Sequence, residues 1–145
     1  MLVQPLVDRL INPALLRQVG GATEYGAALA GSPPAPCVFV LGMGDDAPAE
    51  APHTSGVQPI TRRYGVVQCV RNVRDASGSA ATADLQAVRA WVLGQLLGWE
   101  PAAERAAFEP LQFARGRLLD FDAGTLWWQD DFTTVFMSSR LDAWT

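Results

Sequence analysis

ADLQAVRAWVLGQLLGWEP, residues 83–101, is the longest helical pattern in the chain and decides how the rest is read. Leu85, Val88, Val92 and Leu96 fall at i, i+3, i+7 and i+11, and Ala81 extends the stripe backwards. An apolar stripe on one side of a helix has to be covered, and strand-like runs on both sides of it offer a β-sheet as the partner. Gly98 supplies a stop, and Trp99-Glu100-Pro101 turns the chain away. Ahead of the helix, ASGSAAT reads as an approach with Ser79 or Thr82 as its cap, and Asp84 is placed to favour the helix dipole.

Immediately upstream lies PITRRYGVVQCVRNVRD, residues 59–75, rich in β-branched residues and longer than an average strand. Tyr64, Val66, Gln68 and Val70 share one face, and Val67, Cys69, Arg71 and Val73 the other. Neither face is purely apolar, which predicts one long strand leaving the core at an end. CVFVL, residues 37–41, is apolar without alternation, as expected for a strand buried on both faces. Between the two, residues 42–57 lose all periodicity and read as a long acidic loop carrying Asp45, Asp46 and Glu50.

Downstream, LQFARGRLLDF and TLWWQDDFTTVFMSSRL flank Asp122-Ala123-Gly124, a short hairpin turn in which glycine supplies positive φ. Asp130-Asp131 reads as a bulge or bend, since adjacent carboxylates sit poorly inside a sheet. At the N-terminus, residues 2–18 read as a bent helical arm, with Pro5 tolerated in the first turn and Asn12-Pro13 as the break. Gly20-Gly21 is a joint, and ATEYGAALA forms one or two helical turns between Thr23 as cap and Gly31 as stop. The expected fold is therefore α+β. It is a mixed, mostly antiparallel sheet of about four to five strands, with the N-terminal arm and one long helix packed on it, in a single domain over residues 1–145.

Composition narrows the function. With 145 residues, 49% of them hydrophobic, and five Trp, the chain can bury a core of its own. No apolar run approaches the roughly 18 residues of a membrane span, and MLVQPLVDRL lacks the basic start and cleavage site of a signal peptide. The expectation is a cytosolic protein without a membrane role. All eleven basic residues are Arg, which suits planar bidentate contacts but also follows from GC-rich coding. A net charge of −4 disfavours nucleic-acid binding by the domain as a whole.

Chemistry is sparse. Cys37 and Cys69 lie in apolar, strand-like contexts and lack metal-ligand spacing, and the single histidine, His53, is remote from both, so neither a metal nor a cofactor is expected. GMGDD follows a buried strand but lacks the Lys and the helix of a phosphate loop. The pairs Asp120/Asp122 and Asp130/Asp131 could serve as acid and base or hold a hard cation, though carboxylates of this kind more often solvate turns or pair with Arg at a contact. Trp127 and Trp128 must point to opposite faces. Trp128 is the candidate for an exposed interface, and a second packing layer such as the N-terminal arm is the equal alternative.

The order of these elements resembles the tail terminator proteins of long-tailed bacteriophages, over nearly the whole chain. The resemblance is carried by LRQVGGATEYGAAL, PAPCVFVL, YGVVQCVRNVRDASGSAATADLQAVRAWVLGQLLGWEP and LQFARGRLLDFDAGTLWWQDDFTT. Its most specific part is VRNVRDASG followed by LLGWEP. The resemblance implies a virion protein that forms a hexameric ring on the head-proximal end of the tail tube. Such a ring stops tube polymerisation and presents a surface to head-completion proteins. It brings no catalytic residues with it. The partners it implies are further copies of this chain, the tube protein and a head-completion or connector protein. The candidate subunit or tube contacts are Arg62, Arg63, Arg71 and Arg74 on one side and Asp120, Asp122, Asp130 and Asp131 on another, with Trp128. Two other classes stay open: a head–tail joining or minor tail protein, and a small carboxylate-dependent enzyme.

Overall fold

A computed structural model describes residues 3–47, 58–73, 78–101 and 108–137. Within them lie helices α1 (Gln4–Leu10), α2 (Ala22–Ala30) and α3 (Ser79–Leu96). The strands are β1 (Gln18–Gly20), β2 (Cys37–Asp46), β3 (Pro59–Arg71), β4 (Gln112–Asp122) and β5 (Thr125–Met137). The strands form one open sheet in the order β1-β2-β3-β5-β4. Only β1 runs parallel to its neighbour; every other pairing is antiparallel. The fold is α+β, as the residue pattern predicts.

The long helix behaves as its stripe requires. Ala81, Leu85, Val88, Val92 and Leu96 are all buried, packed with Val38, Val40, Tyr64, Val66, Val70, Leu126 and Phe132 of the sheet. Helix α1 joins this layer through Leu6, Val7 and Leu10. Polar ties fix its position: Trp91 donates its indole N–H to the Leu10 carbonyl (2.9 Å), and Arg9 Nε donates to the Gln95 carbonyl (3.1 Å). At the far end of α3, Gly98 has φ +80 and donates its backbone N–H to Leu111, while Leu111 donates to Trp99. That pair of bonds delivers the chain into β4. No described helix is long and apolar enough to cross a membrane.

A smaller helix covers part of the opposite face. Ala28 and Tyr25 of α2 pack with Cys37, Phe39, Val67, Cys69 and Trp127, and the Tyr25 ring meets Phe39 and Trp127 at centroid distances of 5.7 and 5.9 Å. This layer is why Cys37–Val40 is buried on both faces and why β3 is buried from Tyr64 through Val70.

Several expectations are corrected. The helical arm stops at Leu10; a turn accepted by the Asn12 carbonyl follows, and residues 18–20 pair with β2 as a strand. Three residues are too few to show a period, and their pairing is with a segment far along the chain. Residues 42–46, expected at the start of the acidic loop, are strand: β2 continues through Asp46 opposite β3, with a bulge between Gly42 and Gly44. Backbone pairing with an already long β3 needs no apolar side chains, so periodicity was silent there. Gly78, in the left-handed region at φ +85, caps α3 in place of Ser79 or Thr82. Thr82 donates its hydroxyl to the Gly78 carbonyl, and Asp84 lies beyond the first turn, accepting from Asn72. Gly21 rather than Thr23 caps helix α2, its N–H held by the Glu24 carboxylate (3.1 Å).

Asp130-Asp131 is not a bulge. The two pair in unbroken register with Val66 and Gly65, and the irregularities fall instead on β4, between Phe113 and Arg115 and between Leu118 and Asp120. The hairpin turn is as expected, with Ala123 at φ 50 and Gly124 at φ 82 between the paired Asp122 and Thr125. Glycine fits the second place because a Cβ there would stand 2.7 Å from the Asn72 carbonyl oxygen.

Candidate functional site

The charged residues singled out by sequence separate into two populations. Asp130 is fully buried on the α3 side of β5 and is surrounded by donors. Its Oδ1 accepts from Arg89 Nη2 and Trp128 Nε1, both at 2.9 Å. Its Oδ2 accepts from Arg89 Nε at 2.9 Å and Gln68 Nε2 at 2.7 Å. The bidentate Arg89 contact ties α3 to the sheet, and the Arg89 guanidinium lies 4.8 Å from the Trp128 ring centroid. A carboxylate with both oxygens doubly hydrogen-bonded has no free lone pair to take a substrate proton. Room for this arrangement comes from Gly116, where a Cβ would meet Asp130 Oδ1 at 2.5 Å.

Arg89 and Gln68 are the members that sequence reasoning passed over. Arg89 sits one turn after Leu85 and next to Val88, at the border of the buried stripe, and a charge there was the available signal. Gln68 lies among buried residues on β3, its Oε1 without a hydrogen-bond partner.

Arg62 is likewise internal. Only 2% exposed, it donates through Nε and Nη2 to the two oxygens of Asp45 (2.8 and 3.0 Å) and lies 4.6 Å from the Phe136 ring centroid. Burial pulls its pKa down, but the Asp45 carboxylate more than offsets this and the net direction is up. Tyr64 beside it moves up as well, because burial disfavours the phenolate more than Arg62 favours it. Asp131, also buried, accepts from Gln129 Nε2 (2.6 Å) and lies 3.7 Å from Arg115 Nε. Trp127 and Trp128 do face opposite ways; α2 covers the first and Arg89 the second.

The second population faces outward. Arg63 is 44% exposed and pairs with Asp46, Arg71 is exposed at the other end of β3, and Asp120 and Asp122 stand on the edge strand β4. Arg63 and Arg71 are eight residues apart on β3, which separates them by about 27 Å, so the arginines do not make one patch. Arg74, residues 48–57 with Glu50 and His53, residues 102–107 and Trp144 lie outside the described residues.

Among the described residues no group of three His, Cys, Asp or Glu stands close enough to hold a metal ion. Cys37 and Cys69 are free thiols, buried and directly opposite one another on β2 and β3. Donating its S–H to Cys69 and being buried together push the Cys37 thiol up, far from the reactive thiolate.

Among the described residues the internal charges are thus paired with partners inside the fold, and strand β4 presents an exposed edge. The family described as "Phage tail terminator protein" matches residues 1–142. The chain belongs to that family. It is thus a structural protein of phage tails, a component of the virion. No curated protein sequence matches it. Among solved structures, a chain of the "Virion of native gene transfer agent (GTA) particle" shares the fold at a TM-score of 0.54 and 17% identity, covering 83% of this chain and 78% of that one.

Proposed function

We propose that this tail terminator acts, as a single domain, in a homo-hexameric ring on the head-proximal end of the tail tube. There it blocks further addition of tube protein and presents its other side to a head-completion or connector protein, having assembled in the host cytoplasm. The family match over residues 1–142 carries the reading. A ring of identical chains needs two different patches on each subunit, one meeting the other on its neighbour. The outward-facing Arg63 and Arg71 on β3 and Asp120 and Asp122 on β4 are suited to such contacts, with Arg74 from outside the described residues. Arg62, Trp128, Asp130 and Asp131 serve them from within, by holding strands and α3 in the shape the patches need. Exposed Arg–carboxylate pairs set register more than affinity.

The test is assembly. Purified protein is added to tail tubes growing from purified tube subunits, and tube length and tube ends are imaged by negative stain. Six-fold rings at one end, with growth arrested there, are the expected result. Binding along the tube wall, or to neither end, would overturn the proposal in favour of a minor tail or joining role.

A further inference from the structure

Strand β4, Gln112–Asp122, is the last strand of the sheet, and among the described residues no strand lies on its outer edge. Edge strands in soluble proteins are usually short or guarded. This one is eleven residues long and carries exposed Phe113, Leu118, Leu119 and Phe121. Its charges are segregated: Arg115 and Arg117 occupy one half, Asp120 and Asp122 the other.

The bulge between Leu118 and Asp120 gives that segregation its meaning. Arg115 and Arg117 lie opposite Asp131 and Gln129, whereas Asp120 and Asp122 lie opposite Trp127 and Thr125. All four partners are alternate residues of β5 and share one face, the face that carries Trp127 and α2. In a regular strand, residues 117 and 120 would point to opposite faces. The extra residue, Leu119, brings both arginines and both aspartates onto the same one.

We infer that the β4 edge pairs antiparallel with β4 of a second copy of this chain. About a two-fold axis between Leu118 and Leu119, Arg115 stands opposite Asp122 of the other copy, and Arg117 opposite Asp120. Each pairing occurs twice by symmetry, with the leucines meeting at the centre. Strand addition supplies the backbone hydrogen bonds, and the charge order selects this register among the possible ones. Arg115, 64% exposed and 3.7 Å from Asp131, is only loosely engaged in its own chain. A two-fold pair closes after two chains, so it is not the contact that builds a ring. It covers the edge in the free protein and separates before subunits join head to tail. The inference does not depend on the tube-end reading.

The experiment uses two full-length variants. Arg115→Asp/Arg117→Asp makes the edge wholly acidic, and Asp120→Arg/Asp122→Arg makes it wholly basic. Sedimentation equilibrium should find the wild type in two-chain particles. Each variant alone should dissociate about ten- to several-hundredfold more readily, because like charges then stand directly opposite. Mixed together, the variants should regain a one-to-one pair, since every acidic position again meets a basic one; circular dichroism checks that each is folded. A wild type that stays monomeric at all concentrations, or a mixture that does not pair, overturns the inference. So does a larger particle whose mass neither variant changes, and the tube assay still judges the ring separately.

Discussion

Replacing Asp130 with Ala is the sharpest probe of how the long helix is held to the sheet. The side chain is fully buried and accepts four hydrogen bonds, two from Arg89 and one each from Gln68 and Trp128. Its removal leaves those donors facing one another with no acceptor. Breaking a buried ion pair by deleting one partner costs about 3–5 kcal/mol. Because the Arg89 side chain keeps 28% of its surface, water recovers part of its solvation, and the lower end, about 3 kcal/mol, is the expected loss. With a urea m-value of about 2 kcal/mol/M for a domain of this size, the midpoint should fall by roughly 1.5 M at unchanged m. Asp130→Asn should cost less. The Gln68 amide can flip and offer its Oε1, which has no partner in the native arrangement, to the new Asn N–H. A midpoint for the Ala variant within about 0.5 M of wild type would refute this account of the cluster, and so would an Asn variant less stable than the Ala one.

Four further outcomes are expected. Gly116→Ala places a methyl 2.5 Å from Asp130 Oδ1 and 3.0 Å from Trp128 Cζ2 and should cost about 1–3 kcal/mol. Gly26→Ala, with nothing within 4 Å in helix α2, should stabilise by about 0.5–1 kcal/mol in the same denaturation assay. Burial raises the Tyr64 pKa above its ordinary 10.0, so the fold holds that proton more tightly than the unfolded chain does. Its contribution is complete below about pH 10 and is lost as pH climbs through the folded value, so Tyr64→Phe should flatten the alkaline fall in melting temperature. Finally, Cys37 and Cys69 are buried and should react with a thiol reagent only at the rate of unfolding; a fast native reaction would show the α2 layer to be open.

The fold was legible wherever one side of an element was buried and the other was not. The stripe of α3, the double burial of Cys37–Val40 and the turn at Asp122–Thr125 all follow from local patterns, and the structure repeats them. Membership of the tail terminator family was legible as well, in a resemblance that runs over nearly the full length of the chain.

Tertiary structure alone decided the rest, because it rested on pairings between distant segments. Strand β1 and the tail of β2 exist through their neighbours' backbones, which leave no period in the side chains. Asp130 and Arg62 look like surface charges in the sequence, yet Arg89 and Asp45, from other elements, let them be buried. Nothing local distinguishes a carboxylate that will meet water from one that will meet a guanidinium. The bulge on β4 is decided by strand pairing as well, and by one extra residue it places two arginines and two aspartates on a common face. A sequence states which residues want to be covered or charged; only the assembled sheet determines which partner each of them finds.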